Sequence, residues 1–298
     1  MIIRRDVSAK IIDGRRIAAE IRQEVKQEVL QLKESGINPG LAAILVGDDP
    51  ASKVYVSNKE RACNEVGIYT EIHRFGNEIS EETLLNLIDS LNNNKKIHGI
   101  LVQLPLPPHI RESAVIEAVV PVKDVDGFHP NNIGHLAIGD SQFIPATPAG
   151  VIELFNREDI QLGGKHAVII GRSNIVGKPI AIAWMQKGSS EYPTVTICHT
   201  FDPDIIKHTV EADILIVAVG SPEVITGRMV KKGAVVIDIG INRVDDSESP
   251  KGYRLVGDVN FNEVIEVASA ITPVPGGVGP MTVAMLLKNT VQAAHLHE

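Results

Sequence analysis

Tyr55 and Lys59 stand four residues apart in a stretch of helical period, so a phenol ring and an amine share one helix face and can meet one ligand. Taken alone, the pair also fits a solvated helix face. Ile100-Leu101-Val102-Gln103-Leu104-Pro105-Leu106-Pro107-Pro108 places an amide, Gln103, at the carboxyl end of an apolar strand, the edge where open α/β sheets bind ligands. In Lys123-Asp124-Val125-Asp126-Gly127 two carboxylates precede a glycine, a pattern open to an Asx turn or to a hard cation. No further carboxylate or histidine spacing completes a metal site, so no metal is expected. Pro273-Val274-Pro275-Gly276-Gly277-Val278-Gly279-Pro280 is a glycine-rich loop entering a helix, where backbone can approach a ligand closely.

A second constellation concerns phosphate. His166 to Ile170 is an apolar run that breaks into Gly171-Arg172-Ser173-Asn174-Ile175-Val176-Gly177-Lys178-Pro179, which reads as strand, phosphate loop and helix. Backbone N–H groups and a helix N-terminus would receive a pyrophosphate there. The G-x-G-x-x-G fingerprint is not matched, because Ser173 replaces the second glycine and Val176 the third. Two further strands end in glycine turns, at Gly220 and at Gly240-Ile241, as a nicotinamide cofactor lying across the sheet edge would need. The strand after the loop ends at His199-Thr200 without the acidic residue of an NAD site, although Asp202 follows closely. Arg172 could meet a 2′-phosphate, so NADP is the expected cofactor, with NAD as the alternative.

The elements that must position these groups alternate in type. Helical stretches are predicted over 13–34 and 50–66, with strands near 41–46, 69–75 and 98–104. Asp49-Pro50 starts the second helix and Gly67 stops it. Strands near 166–170, 194–198, 214–219, 234–239 and 269–272 follow, with a last helix over 280–294. The expected class is α/β, an N-terminal α/β substrate domain plus a Rossmann-type doubly wound nucleotide domain with a cleft between them. The boundary falls in Phe143-Ile144-Pro145-Ala146-Thr147-Pro148, giving domains 1–146, with helix 280–298 packing back, and 147–279.

The totals exclude other classes. The 298 residues suffice for two domains, and a formal net charge of -8 argues against a nucleic-acid partner. Cys63 and Cys198 lack C-x-x-C spacing and read as reduced, packed thiols. The start, Met1 to Asp6, has no apolar signal core and no apolar run is membrane-length, so a cytoplasmic protein with no membrane partner is expected.

Together, Tyr55-x-x-x-Lys59, the Leu101 to Pro107 run, Lys123 to Gly127, Gly171 to Pro179 and Pro273 to Thr282 resemble the bifunctional methylenetetrahydrofolate dehydrogenase/methenyltetrahydrofolate cyclohydrolase family over nearly the whole chain. The family's nucleotide domain carries the same non-standard turn. The chain lacks a synthetase extension, like the short bacterial form, and Ser189 to Pro193 looks like a short insertion. The resemblance implies NADP-dependent oxidation of 5,10-methylenetetrahydrofolate and hydrolysis of the methenyl product to 10-formyltetrahydrofolate. By the same resemblance Lys59, Tyr55 and Gln103 are catalytic, and Tyr55, Asp126, Pro273, Gly276 and Gly277 bind folate. Gly171, Arg172, Ser173, Val176, Gly177, Thr200, Gly220 and Ile241 are expected to hold the cofactor. A homodimer through the nucleotide domain is also implied. Tyr55, Lys59 and Gln103 together disfavour a monofunctional NAD-linked dehydrogenase, the Asp126 and Gly276 motifs do not fit a shikimate-type dehydrogenase, and a non-catalytic dinucleotide sensor would not need the polar cluster at the first domain's strand ends.

Overall fold

Lys10–Ile11 (β1) and Gly14–Glu34 (α1) open the computed structural model, which describes residues 9–187, 191–250 and 252–296. Met1 to Asp6, and Ser189 and Ser190 of the inserted segment, lie outside the described residues. Asp13 caps α1, its Oδ1 accepting from Arg15 N at 3.0 Å and Arg16 N at 3.1 Å. Ile17, Ile21, Val25, Val29 and Leu32 recur at helical spacing and are buried. The chain divides into two units. One comprises 18–146 and 282–298, the other 147–281 with the described part of 1–17.

In the first unit, Gly40–Val46 (β2) is wholly buried and contains no polar side chain, as a central parallel strand covered on both faces requires. Pro50–Val66 (α2) follows, then Tyr69–Phe75 (β3), Glu81–Asn93 (α3) and Gly99–Val102 (β4), and the three strands form a parallel sheet in the order β3-β2-β4. Asp49 Oδ2 accepts from Ser52 N at 2.7 Å to start α2, and Gly67, at φ 87°, ends it. Leu84, Ile88 and Leu91 of α3 pack with Ala42, Ile44 and Ile100 in one apolar core. β4 stops at Val102, short of the predicted 104, yet Gln103 N still donates to Ile44 O at 2.9 Å. Glu112–Ala118 (α4) and Pro130–Ile138 (α5) complete this part of the chain.

The second unit begins with Ala146–Arg157 (α6), His166–Ile170 (β5), Gly177–Trp184 (α7), Thr194–Cys198 (β6), Ile205–Thr209 (α8), Ile214–Val217 (β7) and Val235–Asp238 (β8). Asn242–Asp245 (β9) and Tyr253–Val256 (β10) form an antiparallel hairpin, with the Arg243 guanidinium 3.9 Å from the Tyr253 ring centroid. Phe261–Val264 (α9), Ala270–Ile271 (β11) and Val278–His295 (α10) follow. The sheet is parallel throughout, in the order β1-β11-β8-β7-β5-β6. From β5 the chain goes outward to β6 and then back across to β7, so the strand order reverses beside the carboxyl end of β5. Val168, Ile170, Leu215, Val217, Val236 and Ile271 share one core, and Phe155 stacks edge-on against Trp184 at 5.4 Å.

The architecture is the expected α/β class, but the chain is allotted differently from 1–146 and 147–279. β1 pairs with β11, Lys10 opposite Ala270 and Ile11 opposite Ile271, so the segment before Ile17 extends the nucleotide-type sheet. The last helix begins at Val278 and contributes its residues from Thr282 onward to the first unit. β7 ends at Val217 rather than 219, because the N–H groups of Val219, Gly220 and Ser221 are taken by the Asp258 carboxylate instead of a neighbouring strand. Among the described residues no helix is long and apolar enough to cross a membrane.

Candidate active site

Helix α2 presents Tyr55 at its surface and Lys59 one turn on, where Lys59 is only 8% exposed. Lys59 Nζ donates to Gln103 Oε1 at 3.0 Å, and Gln103 Nε2 donates to Leu104 O at 2.8 Å, which fixes the amide with its oxygen toward the amine. Burial lowers the Lys59 pKa, with the negative charge of Asp126 acting against that effect. Burial likewise pushes the Asp126 carboxyl up to about 6, despite the attraction of Lys59. Burial also raises the Tyr55 phenol, which therefore stays protonated. The result is an amine brought toward neutrality, oriented by a neutral amide, beside a carboxylate with a raised pKa.

The two carboxylates of the 123–127 segment divide their work. Asp124 is buried and its oxygens accept from Phe128 N at 3.2 Å, His129 N at 2.8 Å and Asn132 Nδ2 at 2.8 Å. It closes a turn, as the Asx-turn reading of its spacing expects. Lys123 Nζ donates to the carbonyls of Leu91, Asn92 and Asn94 at 2.8 to 3.1 Å and so satisfies the end of α3. Asn289 Nδ2 of α10 donates to Val125 O at 2.8 Å and Ile144 O at 3.1 Å. Asp126 is thus held between fastened neighbours. Asn289 was not singled out from the sequence, where its only mark is an amide within the apolar run of the last helix.

In the other unit, Ile170 is in register with Cys198 and Val217, and Val217 with Asp238. Gly171, Thr200, Gly220 and Ile241 therefore follow strand ends on one edge of the sheet. Gly171 has φ 123°, and a Cβ there would lie 2.2 Å from Ala218 O. A Cβ on Gly177 would lie 2.0 Å from Gly171 O. Gly177 thus performs the close helix-to-strand packing of the fingerprint's third glycine, one position beyond Val176, and the loop is longer by that residue. Ser173 Oγ accepts from Val176 N at 3.1 Å. The backbone N–H groups of Ser173, Asn174 and Ile175 have no partner among the described residues, and Arg172 is exposed.

The 273–277 loop belongs to this same unit. Gly276 has φ 122°, its carbonyl accepts from Arg15 N at 3.1 Å, and Gly277 N donates to Pro273 O at 2.7 Å. Arg15, Asp238, Ile241, Pro273 and Gly276 are among the residues lining a cavity of about 110 Å³. Tyr55, Lys59, Gln103 and Asp126 belong to the first unit. Cys63 and Cys198 are both buried, and burial raises their thiols to about 12 and about 11, which leaves neither reactive.

Comparison with known proteins bears on both units. Residues 12–126 match the family model described as tetrahydrofolate dehydrogenase/cyclohydrolase, catalytic domain, and residues 145–298 match its NAD(P)-binding domain. Bifunctional protein FolD of Moorella thermoacetica is 59% identical over 286 residues, covering 96% of this chain and 99% of its own. The crystal structure of bifunctional FolD, methylenetetrahydrofolate dehydrogenase/cyclohydrolase, from Campylobacter jejuni matches with a TM-score of 0.91 at 46% identity, covering 97% of this chain and 100% of that one. The Trypanosoma brucei enzyme complexed with NADP cofactor and inhibitor matches with a TM-score of 0.92 at 38% identity, covering 97% and 98%. With both halves and their order accounted for, the chain belongs to the tetrahydrofolate dehydrogenase/cyclohydrolase family.

Proposed function

We propose that this protein oxidises 5,10-methylenetetrahydrofolate to the methenyl form with NADP and hydrolyses that product to 10-formyltetrahydrofolate. The observation that carries the reading is the buried Lys59 amine, hydrogen-bonded to Gln103 and within the field of Asp126, in a chain of this family.

Loss of a hydride leaves an amidinium-like cation on the folate, so the first step needs positioning of the donor carbon more than an acid or base. NADP supplies the hydride acceptor when bound. The unpartnered N–H groups of the 173–175 turn and the cradle shaped by Gly171 and Gly177 fit a pyrophosphate. Ser173 and Val176 hold the shape of that turn through their own hydrogen bond. Arg172 fits a 2′-phosphate, with Thr200 two residues past the end of β6, and Gly220 and Ile241 would flank the nicotinamide half. NAD remains the alternative the family description allows.

Hydrolysis does need proton movement, because water adds to the cation and the tetrahedral adduct then loses a C–N bond. Lys59, its pKa lowered by burial, takes the proton from the attacking water and returns it to the leaving nitrogen. Gln103 holds the amine by accepting one of its N–H bonds. Asp126 accepts from the pterin's amino and ring N–H donors, and the Tyr55 ring stacks on the ligand's aromatic part. Pro273, Gly276 and Gly277 are assigned to the substrate wall. Lys59→Ala is expected to lower hydrolysis of methenyltetrahydrofolate by at least about a hundredfold, within the range for loss of a general base. Some hydride transfer to NADP should persist. Unchanged hydrolysis in that variant overturns the assignment.

The resemblance that names the family also supports a homodimer through the nucleotide unit and residence in the cytoplasm. Sedimentation at the mass of one 32.2 kDa chain would dismiss the dimer, and recovery of the cellular protein in a membrane or secreted fraction would dismiss the location.

A further inference from the structure

Two carboxylates are buried in the second unit, Asp258 with no exposed surface and Asp238 with 3%. Asp258 Oδ2 accepts from Val219 N at 2.7 Å and Gly220 N at 2.9 Å, and its Oδ1 accepts from Ser221 N at 3.0 Å and Asn242 Nδ2 at 2.8 Å. One side chain therefore closes the turn after β7 and ties it to Asn242, the first residue of β9, directly after the turn that follows β8. Asp238 Oδ1 accepts from Gly240 N and Asp258 N, both at 3.0 Å, and Oδ2 accepts from Val259 N at 2.9 Å. Asp238 N in turn donates to Thr272 Oγ1 at 2.8 Å, at the entry to the 273–277 loop. Two glycines pack tightly against the pair. A Cβ on Gly240 would lie 2.1 Å from Asp258 Oδ1, and one on Gly257 would lie 1.8 Å from Asp238 Oδ2. Among the described residues neither carboxylate forms a salt bridge, and burial pushes the Asp238 carboxyl up to about 7 against the opposing pull of its N–H donors.

The sheet order gives this arrangement a place in the reaction. β6 lies on one side of β5 and would take the adenosine ribose, while β7 and β8 lie on the other, under the nicotinamide half. We propose that Asp258 is a positioning residue for hydride transfer, its carboxylate setting the Gly220 and Ile241 turns against the nicotinamide half of the cofactor, with Asp238 setting Asp258. The proposal rests on the reading of that sheet edge as the cofactor site.

Asp258→Asn keeps the size and replaces one acceptor oxygen with an NH2 group, which then faces backbone N–H donors. The expected result is a fall of roughly ten- to a hundredfold in kcat/KM for NADP, the scale of a lost hydrogen bond to a charged group. Cyclohydrolase activity, assayed on methenyltetrahydrofolate without cofactor, should stay within about twofold of the wild type, as should the KM for folate. Asn242→Ala removes only the tie between the two turns and should raise the NADP KM by about three- to tenfold, near one ordinary hydrogen bond. Equal loss of both activities in Asp258→Asn would mark a purely structural role and overturn the proposal. Wild-type NADP kinetics in Asp258→Asn would also overturn it, as would wild-type kinetics in Asn242→Ala should Asp258→Asn fail to fold. Titration of the wild-type enzyme with NADPH separates the two layers: absent binding removes the cofactor reading itself, whereas binding unaltered by either substitution removes only the positioning role.

Discussion

Lys59 and Asp126 are both displaced from ordinary titration by the same cause, burial, which disfavours charge on each. In the proposed binding mode Asp126 accepts a pair of pterin N–H donors, which occupies both of its oxygens and needs the ionised form, and its carboxyl titrates at about 6. Turnover per substrate encounter should therefore fall as pH drops through about 6, for both activities, if both use the proposed folate subsite. In Asp126→Asn that inflection should vanish and the folate KM should rise roughly ten- to a hundredfold at pH 8, as for a lost charged hydrogen bond. A retained inflection near 6 in the variant would assign it to another group. Stability should move the other way. A carboxyl raised above the ordinary value of 3.8 binds its proton more tightly folded than unfolded, so this group penalises folding as pH rises through that window to about 6. Urea unfolding at pH 8 should find Asp126→Asn no less stable than the wild type. Residue types made this cluster legible, since an aromatic, an amine, an amide and a carboxylate are each suited to one task. The division between Asp124 and Asp126 was not legible, because it depends on which carboxylate faces the turn's own N–H groups.

Helix α2 could be read to its ends because its capping is local: Asp49, Pro50 and Gly67 act within a few residues of themselves. The phosphate loop shows the opposite case. Its missing glycines looked like departures, yet the close approach to Gly171 is made by Gly177, and only the fold reveals that offset. A methyl group at Gly177 would lie 2.0 Å from Gly171 O, a backbone atom that cannot swing away. Gly177→Ala should therefore displace the start of α7 and raise the NADP KM about tenfold or more, the scale of losing one good contact. Hydrolysis of methenyltetrahydrofolate, which needs no cofactor, should persist. An unaltered NADP KM would show that the cofactor does not use this turn. The end of β7 and the β9–β10 hairpin were illegible for a related reason. β7 is cut short by Asp258, far along the chain, and the hairpin sequence Asn242-Arg243-Val244-Asp245 offers little apolar alternation to read.

For the whole molecule, sequence order misleads about which residues fold together. Residues 9–17 precede the first unit in the chain but belong to the second, because a parallel sheet accepts an edge strand from anywhere the backbone can reach. A strand of two residues, Lys10 and Ile11, carries no period, so the boundary near 143–148 was visible and this allotment was not. Ile12 tests it. Its N–H donates to Ile271 O at 2.9 Å and its side chain is fully buried. Ile12→Ala should cost about 2–5 kcal/mol, the range for truncating a buried aliphatic side chain and leaving part of the space unfilled. Hydrogen exchange read peptide by peptide should place the lost protection in β11 and β8, the strands that continue the sheet inward from β1. NADP should restore much of the stability, since binding to the folded form alone contributes about 2.7 kcal/mol at a hundredfold excess over Kd. Loss of protection centred on β2 and β4 instead would return the N-terminal segment to the first unit, and with it the domain limits that the linear sequence implied.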